Sequence, residues 1–149
     1  MKNKVSEIRL SYSEKIPVSL QYKIRNSQET AEILYRSWDR GTIAMHETFK
    51  VVLLNNGNRI KGVYEISKGG ITGALVDQRI LFAVILKSLT VAIILVHNHP
   101  SGTLGPSEAD RAITEKIKKA ARLFDIRVLD HLILAPNGEY YSFADNGIL

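Results

Sequence analysis

The sequence predicts an α/β fold in which helices flank one mixed β-sheet. Residues 49–67, FKVVLLNNGNRIKGVYEIS, place two β-rich runs around an Asn-Gly pair, which is typical of a β-hairpin. Residues 91–96 form a short continuous apolar run, as expected for a strand that is covered on both faces. Residues 107–124 repeat apolar side chains at helical spacing. Strands mixed with helices in this way predict a layered fold built on a mixed sheet.

The first half of the chain contains one further strand pattern and one helix pattern. Apolar and polar residues alternate from Val18 to Ile24, which predicts a strand. Asn26 followed by Glu29 resembles a capping box. Apolar residues at helical spacing come next, so we expect an amphipathic helix over residues 27–40. The hairpin follows, and Gly69-Gly70 interrupts the pattern after it.

The second half alternates helix and strand patterns. Residues 77–89 are apolar nearly all round at helical spacing, so we expect a buried helix there. The strand at 91–96 and the helix that starts at Ser107 come next. A strand is expected over residues 126–134, followed by a turn at Asn137-Gly138 and a last strand over 140–143.

Composition limits the kinds of chemistry that the chain can perform. Its 149 residues are the length of one ordinary domain, and we expect a single domain at residues 26–149 after an N-terminal extension at residues 1–25. The sequence contains no cysteine, which excludes disulfides, thiolate catalysis and cysteine-ligated zinc. A net charge of +5 is typical of a solvated surface, and it leaves open a weak preference for nucleic acid or an acidic partner.

The chain lacks patterns for secretion and membrane insertion. The N-terminus MKNKVSEIRL has no apolar core of a signal peptide. The longest apolar stretch, residues 80–96, is interrupted by polar residues and fits a helix–strand pair better than a membrane span. We therefore expect a cytoplasmic protein without a membrane partner.

Three residues near the middle of the chain form a candidate metal site. His97 and His99 follow the 91–96 strand, and side chains two apart in extended backbone point to the same side. Asp110 lies in the first turn of the next helix, where a loop can bring it back over the strand end. Two imidazoles and one carboxylate suit Zn²⁺ and leave a fourth position open for water, as in catalytic zinc sites.

Ser107 has two interpretations. Its hydroxyl could donate a hydrogen bond to the oxyanion of a tetrahedral intermediate. Ser107-x-x-Asp110 is also a helix-capping pattern, in which the serine caps the helix and the aspartate occupies its favourable N-terminal end. The two roles do not exclude each other.

The complete spacing resembles a known family. His97-x-His99, seven residues, Ser107, two residues and Asp110 match the H-x-H-x(7)-S-x-x-D motif of the JAMM (JAB1/MPN/Mov34) metalloenzymes at every fixed position. The words HNHPSG, PSEAD and LDH (residues 129–131) resemble the bacterial RadC family within that superfamily. The resemblance covers roughly residues 42–149. Full-length members carry a helix-hairpin-helix-type region in front of this domain, and we expect a RadC-like domain here without that region, preceded by a short extension.

The resemblance implies a fold, a metal and a general base. The fold would be the cytidine-deaminase-like JAMM fold, a mixed sheet flanked by helices, with His97, His99 and Asp110 as zinc ligands. The family pattern also contains a glutamate on an early strand. Glu47, in HETFKVVLLN, is assigned as general acid/base, and Glu65 on the second hairpin strand is the weaker match. His131 lies inside an apolar strand and is expected to be a core histidine or a partner of the site.

Three functions are compatible with these residues. JAMM enzymes hydrolyse amide bonds, which implies a zinc-dependent metallopeptidase that acts on a peptide or isopeptide by metal-activated water. RadC-like proteins are traditionally associated with DNA repair, so the alternatives are a DNA-binding module and a metal-dependent nuclease. The expected partners are accordingly a peptide or protein substrate, or else DNA.

Overall fold

The computed structural model describes residues 4–7, 9, 11–70 and 75–149. It contains three α-helices and five β-strands within those ranges. In chain order these are α1 (Ser27–Ser37), β1 (Thr48–Leu54), β2 (Ile60–Lys68), α2 (Gln78–Lys87), β3 (Ala92–Asn98), α3 (Glu108–Arg122), β4 (Arg127–Leu134) and β5 (Tyr140–Ser142). None of the helices in this part of the chain is both long and apolar enough to cross a bilayer.

The five strands form one mixed sheet in the order β2-β1-β3-β4-β5. The central pair β3–β4 is parallel, and the other three pairs are antiparallel. One core cluster packs α1 against one face of the sheet, and a second cluster packs α2 and α3 against the other face. The predicted α/β class, a mixed sheet flanked by helices, is confirmed.

Strand β3 lies at the centre of this sheet and is buried along its whole length. Ile94 and Val96 contribute to the core on the α1 side, whereas Ile93 and Leu95 contribute to the core under α2 and α3. Each such side chain contributes about 1.5–3 kcal/mol through removal of its apolar surface from water. The alternation continues to the strand end, so His97 faces the α3 side and Asn98 faces the α1 side.

The hairpin forms where the sequence predicts it. The Asn55 side chain accepts hydrogen bonds from the backbone amides of Gly57 and Arg59, which closes the turn between β1 and β2. Asn58 adopts a φ of 56°, a left-handed conformation that asparagine tolerates better than most residues.

Two predictions for the flanking segments are wrong. Residues 18–20 form a short 3₁₀ turn rather than a strand, and Val18 and Leu20 are exposed. The residues that follow contact the hairpin through backbone bonds between Ile24 and Asn58 and between Ile60 and Tyr22, and through the Arg59 guanidinium, which donates to the Gln21 carbonyl oxygen. In addition, α1 ends at Ser37 rather than near Arg40, since the next residue is extended.

Helix α2 is less buried than predicted. Leu81 and Ile85 are fully buried against the sheet, but Ile80 and Leu86 on the outer face are 44% and 41% exposed. The sequence shows that a helix is apolar all round, but it does not show whether a second layer covers the outer face.

Candidate metal centre

The predicted metal ligands meet at the carboxyl end of β3. His97 lies within the strand, and the His99 amide donates to the Leu134 carbonyl oxygen at 2.9 Å, which continues the parallel pairing with β4. The two imidazoles consequently point to the same side, with their Nε2 atoms 3.0 Å apart. Extended backbone over residues 97–99 therefore brings the two imidazoles together, as the two-residue spacing predicts.

Asp110 joins the two histidines from the first turn of α3. Its Oδ1 lies 3.3 Å from His97 Nε2, and its Oδ2 lies 3.2 Å from His99 Nε2. The backbone amide of Ser107 also donates to Oδ2 at 2.8 Å, and this capping box holds the carboxylate in place. The loop between β3 and α3 thus brings Asp110 back over the strand end, as the spacing predicts.

Glu47 completes the cluster from the segment just before β1. Its Oε1 lies 3.7 Å from His97 Nε2, and one ligand atom from each of Glu47, His97, His99 and Asp110 lies within 4.8 Å of the others. Backbone hydrogen bonds to Gly69 and Gly70 anchor Glu47 beside the sheet. The alternative Glu65 is exposed on β2, outside this cluster, so the geometry favours Glu47.

Ser107 acts as the N-cap of α3. Its hydroxyl oxygen accepts a hydrogen bond from the Asp110 amide at 3.1 Å, as the capping interpretation predicts. The side chain also lines the cavity beside the cluster, and its role toward an oxyanion stays a prediction.

The charges of the cluster are set by burial and by mutual contact. Burial favours the neutral form of the Glu47 carboxyl and raises its pKa, although the His97 and His99 rings act in the opposite direction. Burial also opposes ionisation of Asp110, but the contacts of its carboxylate with His97 and His99 outweigh burial and hold its pKa well below the usual value. The hydrogen bond to Asp110 raises the pKa of His99. The surroundings therefore favour the ionised form of Asp110 more strongly than that of Glu47.

The donor atoms fit a divalent metal ion. His99 Nδ1 lies 2.5 Å from the carbonyl oxygen of Thr103, so Nδ1 carries a proton and donates it. Two Nε2 atoms at 3.0 Å from each other and a carboxylate beside them require a shared proton or a cation between them. Two imidazoles with one carboxylate are a common ligand set for such an ion.

Two buried polar residues near the cluster carry contacts that the sequence did not reveal. Asn98 is fully buried, and its side chain accepts from the Thr48 amide at 2.8 Å and donates to the carbonyl oxygens of Ile43 and His46 at 2.7 and 3.0 Å. It thereby fixes the backbone on both sides of Glu47.

His131 is also fully buried, and its Nε2 lies 2.8 Å from His97 Nδ1, so it is both a core histidine and a partner of the site. An Asn and a His inside apolar strands are the only signals for these contacts in the sequence.

A cavity of about 720 Å³ opens beside the cluster. Apolar side chains from three segments line it together with Glu47, His99 and Asp110; they include Phe49, Leu75, Val76, Ala109 and Ile113. No lysine or arginine is among the described residues that line this cavity. The two carboxylates therefore dominate its charge.

Comparison with known proteins agrees with the resemblance in the motif. The family model of the RadC-like JAB domain matches residues 24–148. A UPF0758 protein of Flavobacterium johnsoniae is 50% identical over 103 residues, which cover 69% of this chain and 44% of the relative. A UPF0758 protein of Porphyromonas gingivalis is 44% identical over 103 residues (69% and 45%), and one of Aromatoleum aromaticum is 41% identical over 116 residues (76% and 52%). The chain spans about half the length of these curated relatives. It belongs to the RadC-like JAB domain family.

Proposed function

We propose that this chain is a zinc-dependent metallopeptidase that hydrolyses a peptide or isopeptide bond. The observation that carries the proposal is the convergence of His97 Nε2, His99 Nε2 and the Asp110 carboxylate, with Glu47 beside them at the edge of a cavity. A zinc ion held by these three ligands would polarise the substrate carbonyl and lower the pKa of water to about 7. The chain itself supplies the ligands, the proton acceptor and the walls that hold the substrate.

Glu47 is the general base in this proposal. A base works best when its pKa lies near the working pH, and burial raises the pKa of Glu47 in that direction. Its Oε1 lies 3.7 Å from His97 Nε2, whereas the Asp110 oxygens lie 3.3 and 3.2 Å from the two histidines. Glu47 therefore lies beside the three ligands rather than among them. It can take a proton from the attacking water and pass it to the leaving amine.

The lining of the cavity favours a peptide over a nucleic acid. A phosphodiester substrate brings a negative charge at every residue, and proteins bind it with lysine and arginine. The described lining offers instead two carboxylates and apolar side chains such as Val76 and Ile113. These groups favour a substrate with an uncharged amide and an apolar side chain close to the scissile bond.

The DNA-binding alternative has one observation in its favour. Lys118, Arg122 and Arg127 line a second cavity, of about 440 Å³, where α3 ends and β4 begins. That position is at the opposite end of α3 from Asp110, so DNA held there would not approach the metal ligands. Binding to a DNA duplex that weakens steeply with salt, and that is lost in Arg122→Gln and Arg127→Gln, would support this second function.

A paired substitution tests the peptidase proposal. The zinc-loaded protein is assayed on fluorogenic peptides with varied apolar residues and on an isopeptide-linked substrate, with Glu47→Gln as the test and exposed Glu65→Gln as the matched control. We expect Glu47→Gln to retain zinc and to lose hydrolysis by about 10²- to 10⁴-fold, while Glu65→Gln keeps both. Wild-type turnover in Glu47→Gln would overturn the assignment of the base. Metal-dependent cleavage of a plasmid with no peptide hydrolysis would favour the nuclease instead.

Cytoplasmic location stays a prediction, which fractionation of cells tests.

A further inference from the structure

A chain of buried hydrogen bonds runs behind His97, away from the cavity. His97 Nδ1 lies 2.8 Å from His131 Nε2, and His131 Nδ1 lies 2.6 Å from the Thr114 hydroxyl. The Thr114 hydroxyl lies 2.6 Å from the backbone carbonyl oxygen of Asp110. His97, His131 and Thr114 are at most 2% exposed, so no solvent replaces any partner in this chain.

The direction of the hydrogen bonds follows from the end at Asp110. A carbonyl oxygen only accepts, and two oxygen atoms 2.6 Å apart need a proton between them, so the Thr114 hydroxyl donates to Asp110. This uses its only proton, and the hydroxyl must accept from His131 Nδ1–H. Full burial disfavours a charged imidazolium, so His131 is neutral and has only a lone pair at Nε2, which must accept from His97 Nδ1–H. His97 Nε2 is left with its lone pair toward the cluster.

We propose that Thr114 and His131 are positioning residues that hold His97 in its Nδ1–H tautomer and so keep Nε2 available as a metal ligand. A partner on the second ring nitrogen is a general means of fixing tautomer and orientation in a ligating histidine. Here the partner is a two-residue relay that ends on the backbone of Asp110, another ligand. The relay concerns the metal site alone and stands whether or not that site hydrolyses peptides.

Aromatic packing restricts the rings of the relay. Phe49 stacks on His97, with ring centroids 5.8 Å apart and planes 9° apart. Phe143 stacks on His131, with centroids 4.6 Å apart and planes 21° apart. Because each ring is buried and has a phenyl ring stacked on it, a ring flip that would exchange the nitrogens requires the core to open.

The relay is tested by removing its one hydroxyl. Thr114→Val keeps the side-chain shape but leaves His131 Nδ1 without an acceptor, whereas Thr114→Ser keeps the hydroxyl. Zinc affinity is measured by competition with a chromophoric chelator. The tautomer of His97 is read from the ¹⁵N chemical shifts of its ring nitrogens in the metal-free protein. Thermal unfolding of the metal-free variants reports any purely structural effect.

We expect Thr114→Val to weaken zinc binding by about 10- to 100-fold and to place a proton on His97 Nε2. Thr114→Ser should restore both the affinity and the Nδ1–H tautomer. A folded Thr114→Val protein that binds zinc as tightly as the wild type overturns the proposal, even if its melting temperature falls. If Thr114→Val does not fold, the wild-type spectrum decides, because a metal-free His97 that carries no proton on Nδ1 contradicts the relay.

Discussion

Asn98 offers a sharp separation between metal binding and catalysis. Its side chain holds the backbone of Ile43, His46 and Thr48 on the α1 side of the sheet, while the histidines on either side of it point to the metal site. Asn98→Leu has a similar volume and removes all three hydrogen bonds. It should therefore disturb the segment that carries Glu47 and leave the ligands in place.

The magnitude follows from the groups that lose their partners. One backbone amide and two carbonyl oxygens become unpaired, and each buried unpaired group costs about 1–3 kcal/mol. The segment can relax toward water, so we take the lower bound and expect the free energy of unfolding to fall by about 3 kcal/mol. This is a large part of the roughly 5–15 kcal/mol that stabilises an ordinary domain. A displacement of Glu47 by about 1 Å should lower the rate of hydrolysis by about 10²-fold.

Three measurements on Asn98→Leu check this prediction. Urea unfolding gives the loss of stability, chelator competition gives the zinc affinity, and peptide hydrolysis gives the rate. The matched control is Asn137→Leu, since Asn137 is exposed and its side chain makes one hydrogen bond, to the Glu139 amide. An unfolding free energy equal to that of the control would refute the role of Asn98 in the core. A zinc affinity as low as that of His97→Ala would refute the separation of the two faces.

Two further substitutions test features outside the metal ligands. Burial raises the pKa of Asp130 above its usual value, against hydrogen bonds from Ser142, Ala144 and His131. This carboxyl therefore contributes stability below about pH 4, and that contribution is lost as the pH rises through the folded-state pKa. The unfolding free energy of Asp130→Asn, relative to that of the wild type, should rise with pH over that window. A difference in unfolding free energy that does not change with pH would contradict the assignment. The buried Lys61 ammonium donates to the carbonyl oxygens of Ser88 and Leu89, the two residues that follow α2, at 2.5 and 3.4 Å. Lys61→Met should lower the unfolding free energy by about 1 kcal/mol in a thermal melt, and an unchanged melting temperature would show that this cap contributes nothing.

The metal site could be predicted from sequence because its ligands lie close together along the chain. His97 and His99 are related by the two-residue period of a strand, and Asp110 is placed by the capping box of the helix that follows. These are local relations with few geometric solutions. Glu47 lies fifty residues before His97 along the chain, and only the family resemblance identified it among the acidic residues.

The supporting contacts could not be predicted, because they join distant segments. The relay joins β3, β4 and α3, and its distances depend on how the helix packs on the sheet. The wrong strand at residues 18–24 and the exposed face of α2 have the same origin. A pattern of apolar residues shows which face prefers burial, but the presence of a covering layer is decided by the tertiary structure.

Metal binding by the cluster of His97, His99 and Asp110 is the property on which the proposed chemistry depends most directly. Zinc content is measured by elemental analysis after dialysis of the folded wild-type protein, of His97→Ala and of Asp110→Ala, with circular dichroism to show that each is folded. We predict about one zinc per wild-type chain and close to none in either variant. A folded wild-type protein that holds no zinc after zinc is added, or variants that hold as much as the wild type, would contradict the assignment of His97, His99 and Asp110 as the metal ligands.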